Sequence, residues 1–325
     1  MNFCVVKKAF FVIALAVSAL AASAQHYASY YSDATGKKGA TLKTALCYVI
    51  NPHTQRSYKA LWDDFRSTDA RPDGKVWDMY SAITNYRFGT DQAGNYQKEG
   101  DVYNREHSFP KSWFNDGYPM YTDLNHMYPT DGYVNNRRGN YPFGEVSNPT
   151  YTSAQDFCLL GPCSTPGYSG TVFEPADEYK GDFARTYFYM VTSYENQITS
   201  WNSDMLDGKK YPGYKAWALD MLLRWSELDP VSEKEINRNE AVYEIQGNRN
   251  PFIDYPGLEQ YIWGNLTNEA FNADAYLSPE QINAIFDTPD ATNEIYDLTG
   301  RRVRPEHNRT TGHGIYVVGG RKIMK

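Results

Sequence analysis

The chain has 325 residues, of which 41% are hydrophobic and 22% charged, and a formal net charge of -7. That composition excludes a wholly disordered chain and leaves room for one large domain or two ordinary ones. The acidic balance also excludes a polyanion binder that works through its whole surface, so any nucleic-acid site must be a local basic patch. Tyrosine is abundant, at 28 residues against 6 histidines, which agrees weakly with an exported protein or a binder of flat polar ligands.

Residues 1–25 carry two charges, Lys7 and Lys8, then an apolar run from Ala9 to Leu20, then Ala22-Ser23-Ala24. A basic start, a short apolar stretch and a small-residue exit predict a secretory signal peptide cleaved after Ala24. The run is short for a membrane span and no other long apolar run exists, so no membrane span is expected; no cysteine follows the exit, so no lipoprotein anchor is expected either. Removing the signal takes the net charge from -7 to -9 and the cysteines from four to three. Cys47 lies in an apolar helical pattern and reads as core. Cys158 and Cys163 frame FCLLGPC, with Gly161 and Pro162 expected to turn the chain. In an oxidising compartment they can pair; otherwise they are two buried thiols.

Residues 41–66 have helical periodicity broken near Asn51-Pro52, and 67–100 read as loop. Residues 101–140 run DVYNREHSFPKSWFNDGYPMYTDLNHMYPTDGYVNNRRGN. Here Glu106 and His107 close one strand-like run, Pro129 ends a second, and a polar helix start carries Asn135, Asn136, Arg137 and Arg138. Residues 141–181 read as a long loop set. Helices are expected over 182–195 and 214–228. Ser232-Glu233-Lys234-Glu235 has the capping-box pattern that opens a third, and Ser278-Pro279 marks another start. After Asp290 come two strand-like stretches, EIYDLTGRRV and GIYVVGGRKIMK, in a basic tail.

The order strand, strand, helix, with His at the end of the first strand, suits a metal-dependent phosphodiesterase. Such a reaction needs an attacking water, a base, and positive charge beside the leaving oxygen. A neutral His is a base near pH 7. Glu106 and an Asn supply hard oxygens for Mg²⁺, which keeps several waters, and one carboxylate leaves the site a net positive charge.

NREHSFPKSW followed by DLNHMYPTDGYVNNRRGNYPFG resembles the bacterial endonuclease I family, secreted or periplasmic nucleases with a ββα-metal (His-Me finger) site. KGDFARTYFYM (180–190), the stretch 225–256 and LEQYIWG (258–264) agree in order, so the likeness covers about residues 40–264. The resemblance implies an α+β fold, mostly helical, with the ββα module embedded. It implies His107 as general base, Glu106 as metal-binding acid and Asn135 as the metal-binding amide, with Asn136 and Asn140 as rivals. Arg105, Arg138, Arg185 and Arg249 are the candidates for phosphate contact or for bracing the site. Mg²⁺ is the expected cofactor, with Mn²⁺ and Ca²⁺ left open. The implied activity is nonspecific cleavage of DNA, and of RNA, to 5′-phosphate products. A ribonuclease with the same site, or a surface protein that binds nucleic acid or glycan without cutting, are the alternatives.

The tail, with YDLTGRRV, GIYVV and RKIMK, resembles the C-terminal sorting domains of Bacteroidetes (type IX) secreted proteins, which implies secretion machinery as a partner. A small hairpin packed on the nuclease, or a basic segment that touches substrate, are the other readings. The expected organisation is a signal at 1–24, an endonuclease-like domain at 25–264, a connector at 265–290 and the sorting-like segment at 291–325. The expected location is extracellular or cell surface, with the periplasm open.

Overall fold

The computed structural model describes residues 27–276 and four later strands, Ile295–Asp297, Arg302–Val303, Ile315–Val318 and Arg321–Met324. The signal segment, the Ser278 helix start and most of the connector lie outside the described residues.

Two helices, α1 (Gly39–Ile50) and α2 (Leu61–Thr68), flank the break at Asn51-Pro52. Strands β1 (Tyr103–His107) and β2 (Met127–Asp131) pair antiparallel and lead directly into α3 (Gly132–Arg138). Pro129 does not end β2; it lies mid-strand opposite Arg105. A two-stranded sheet leaves each strand an edge, where the missing proline N–H breaks no ladder. His126 falls just before the strand, although its carbonyl still accepts from the Ser108 N–H at 3.2 Å.

Residues 141–181 are not a loop set. They contain a three-stranded antiparallel sheet in the order β3 (Tyr151–Thr152), β4 (Leu159–Pro162), β5 (Thr171–Glu174). Gly161 and Pro162 belong to β4 and do not turn the chain, so Cys158 and Cys163 stand at the two ends of an extended strand and are free thiols. At about 3.3 Å per residue they are roughly 16 Å apart along it, beyond what a disulfide spans.

Helix α4 (Lys180–Ser193) is the central element and packs against α5 (Ala216–Leu228), α1 and α7 (Pro251–Asp254). The sequence suggests one apolar stripe, but every residue from Gly181 to Ser193 is buried. Its polar side chains therefore need internal partners. Asp182 takes the Lys234 ammonium at 2.5 Å, Arg185 grips Glu235 at 2.6 and 2.9 Å, and Tyr189 donates to Asp123 at 2.7 Å. Gly181 is demanded by proximity: a Cβ there would lie 1.9 Å from the Asp229 carbonyl oxygen at the end of α5. Helix α6 (Glu233–Gln246) opens on the expected capping box, with both reciprocal bonds between Ser232 and Glu235 formed. A short α8 (Leu258–Ile262) follows.

The stretch 69–102 holds no helix or strand of its own but is tied to the start of α3. Asp131 caps that helix through the Val134 N–H at 2.8 Å and also accepts from the Gly100 N–H at 2.7 Å and from the Tyr86 hydroxyl. Asp78, in the same stretch, is buried near Asp131, and burial foremost pushes its carboxyl up to about 7. Because the folded chain holds this proton more tightly than the unfolded chain, the linked stability is greatest at low pH. It falls as pH rises from about 4 to about 7. Urea unfolding at pH 5 and pH 8 should show Asp78→Asn losing less stability over that interval than wild type; equal losses would remove Asp78 as the cause.

In the tail, the two strand-like stretches are four strands in one antiparallel sheet, in the order β7, β6, β8, β9, where β6 is Ile295–Asp297, β7 Arg302–Val303, β8 Ile315–Val318 and β9 Arg321–Met324.

Candidate active site

Successive strand residues point to opposite faces, so Glu106 and His107 leave the end of β1 in different directions. Glu106 turns toward α3. Its Oε1 accepts from the Tyr80 hydroxyl at 2.8 Å and from Arg138 Nη1 at 2.9 Å; Asn135, whose Nδ2 lies 3.5 Å from the Thr130 hydroxyl, is near enough to favour the charged carboxylate as well. Burial pushes the Glu106 carboxyl up, against the opposing pull of Arg138 and then Tyr80. Asn135 is half-buried on the inner side of α3, while Asn136 and Asn140 are exposed. The structure thus brings Asn135 to Glu106.

Arg138 is buried at the other end of the short helix. Beyond Glu106 it donates to the carbonyls of His107 at 3.0 Å and Ser108 at 2.6 Å, and to the Tyr187 hydroxyl at 3.2 Å. One guanidinium therefore clamps three consecutive residues at the turn out of β1. Its fork of donors suits this task in a way a single ammonium does not.

His107 turns to the opposite face. Its Nε2 lies 3.0 Å from the Tyr121 carbonyl oxygen, which can only accept, so Nε2 carries the hydrogen. In the neutral ring the lone pair is then on Nδ1, the atom available to take a proton. Burial, with help from His126 and then the Lys111 and Arg105 charges, pushes the ring down to about 3, so it is neutral at any ordinary pH. The ring stacks on Tyr58 at 6.0 Å and 20°, and packs against Tyr121 at 4.8 Å. Arg105, two residues earlier and on the same face, lies over Tyr58 at 3.5 Å and Trp62 at 4.3 Å, with Nη1 on the Tyr58 carbonyl at 2.6 Å.

The remaining expected arginines are elsewhere. Arg185 is committed to Glu235 and the Asp229 carbonyl, and Arg249 to Glu240 and Asp254. Both guanidiniums are engaged internally, which makes them braces of the helical body. Asp123 is also internal, accepting from Tyr189, Tyr194 and Gln246 at 2.6 to 2.7 Å. His126 donates from Nε2 to the Met120 carbonyl at 2.6 Å and is fully buried. Sequence reasoning misses Tyr80, Tyr58 and Tyr121. They come from distant loops and carry no spacing signal.

The sequence pattern that defines the family described as Endonuclease I matches residues 38–257, more than half of the chain. The chain belongs to the endonuclease I family. It is an endonuclease by that membership, and its Glu106, His107 and Asn135 all fall inside the matched region. An extracellular ribonuclease of Bacillus amyloliquefaciens is 37% identical over 72% of this chain and 78% of its own length. One of Bacillus subtilis is 36% identical over 75% and 82%. An extracellular deoxyribonuclease of Aeromonas hydrophila is 27% identical over 42% of this chain and 50% of its own. Among the described residues no helix is long and apolar enough to cross a membrane. No group of three or more His, Cys, Asp or Glu side chains is placed to hold a metal there either.

Proposed function

We propose that this endonuclease is exported and hydrolyses phosphodiester bonds of DNA and RNA with the help of Mg²⁺, through a ββα-metal site at the end of β1. The observation that carries this is the tautomer of His107: the Tyr121 carbonyl holds Nε2–H, which leaves Nδ1 as a neutral base at the edge of the site. The neighbouring donors at the end of β1 and on α3 fit a hard divalent cation. Glu106 offers its second carboxylate oxygen and Asn135 its amide oxygen, and such an ion completes its shell with water. When bound, Mg²⁺ supplies positive charge against the phosphate and the leaving 3′ oxygen.

The protein's own groups do the rest. His107 takes a proton at Nδ1 from the attacking water. The Tyr121 carbonyl stabilises the charged ring and keeps it oriented. Arg138 and Tyr80 fix Glu106 in place and favour its charged form against the burial that raises it, so little reorganisation is needed during the reaction. Relatives named for RNA and for DNA cleavage support a site that is indifferent to the sugar. The N-terminal signal pattern and the extracellular relatives support export, and the sorting-like tail supports delivery through the C-terminus.

The test is nicking of supercoiled plasmid and cleavage of RNA by the purified chain, with Mg²⁺ and with EDTA. Cleavage of both substrates that EDTA abolishes and Mg²⁺ restores is the expected result, with activity recovered from the medium of producing cells. Tight nucleic-acid binding without cleavage under any divalent metal would favour the surface-binding alternative instead.

A further inference from the structure

Beside His107 the chain builds an aromatic ledge that the hydrolysis itself does not use. The Tyr58 ring continues the His107 stack and lies 4.9 Å from the Tyr121 ring; Tyr121 in turn lies 5.2 Å from Tyr118. Burial decreases outward along this series: His107 is buried, Tyr58 and Tyr121 are half-buried, and Tyr118 is 52% exposed. Two cations border the series. The Arg105 guanidinium is stacked on Tyr58, and its Nε is buried with no protein partner. The Lys111 ammonium stands 5.4 Å from the Tyr121 ring and is paired with Asp116.

Resting on the nuclease reading above, we propose that this ledge stacks the unpaired bases next to the scissile phosphate, so that the preferred substrate is single-stranded nucleic acid of either sugar. Three arguments converge. An acidic chain cannot draw substrate by its overall field, whereas stacking on a π-face needs no net charge and is tolerant of base identity. The base faces of a duplex are covered by their neighbours; only an unpaired strand can offer them to Tyr118 and Tyr121. Of the two bordering cations Arg105 keeps an unpartnered Nε beside the ledge, and both polarise the rings they touch. A ledge that reads bases by their faces leaves the 2′-hydroxyl unread.

The measurement is kcat/KM on a single-stranded oligonucleotide and on its duplex, as DNA and as RNA, for wild type, Tyr118→Ala and Tyr118→Trp. Wild type is expected to favour the single strand. Tyr118→Ala should lower the ratio of single-strand to duplex kcat/KM by at least about 5-fold, the low end of one lost stack. The loss should lie in KM, and Tyr118→Trp should restore the ratio. A single strand whose bases flanking the cut are replaced by abasic linkers should lose the preference in wild type. An unchanged ratio in Tyr118→Ala, or a wild type that prefers duplex, would overturn the proposal while leaving the nuclease intact. Failure of wild type to cut any of the four substrates would overturn both readings together.

Discussion

His107→Ala should lower plasmid nicking by about 10²- to 10⁴-fold, the range that a positioned general base supplies. The companion variant is His107→Gln. The amide of glutamine reaches the Nε2 position and can still donate to the Tyr121 carbonyl, so the turn out of β1 keeps its anchor, yet it has no basic nitrogen to present. Equal losses in the two variants would place the effect in proton transfer. Activity largely retained by His107→Gln would make the histidine an anchor only and move the base elsewhere. The pH profile adds a second readout. Burial holds the ring down to about 3, so His107 is already in its neutral, proton-accepting form throughout pH 5 to 8. Falling pH in that window should not switch the wild-type rate off through this group. An acid limb near pH 6.5 that disappears in His107→Gln would contradict the buried, carbonyl-locked geometry.

Arg138→Ala should cost about 3–5 kcal/mol of stability, because it leaves the buried Glu106 carboxylate without its counter-charge. It also strips a donor from the Ser108 and His107 carbonyls. Urea unfolding would read this as a lower midpoint at unchanged slope. Arg138→Lys should recover part of the loss, since one ammonium keeps the charge but cannot reach carboxylate and carbonyls in the same fork. The decisive comparison is Arg138→Ala in a Glu106→Gln background, where the uncompensated charge is gone and the cost should shrink. Equal costs in the two backgrounds would mean that the guanidinium acts through the carbonyls and ring packing alone. Activity should fall along with stability, as Glu106 loses the group that fixes its Oε1.

The local pieces of this site are legible in the order of residues. Strand β1 ends at His107, as that order predicts, and α3 begins soon after Pro129. The capping box at Ser232 and the helical periodicity of 182–195 and 214–228 each correspond to a helix. These features depend on neighbours three or four residues apart, so a sequence window contains their causes. The sheet over 151–174 escapes such a window because its strands are two to four residues long, and the β4–β5 connection, with Pro166, Gly167 and Gly170, reads as loop. Such strands carry too little alternation to register, and their stability comes from pairing across the sheet.

Residue order alone is enough for the family, the acidic body and the residue types at the end of β1. The partners of those residues follow only from the tertiary structure. Nothing in the order of residues says that Arg138 would turn inward to Glu106, or that Arg185 and Arg249 would be taken by Glu235, Glu240 and Asp254. Nor does it say that a carbonyl fourteen residues away would choose the tautomer of His107. An arginine has the same propensities whether it meets phosphate or an internal carboxylate. The choice follows from which charges the packing of distant segments leaves unpaired out of water, where the cost of an unmatched charge is largest.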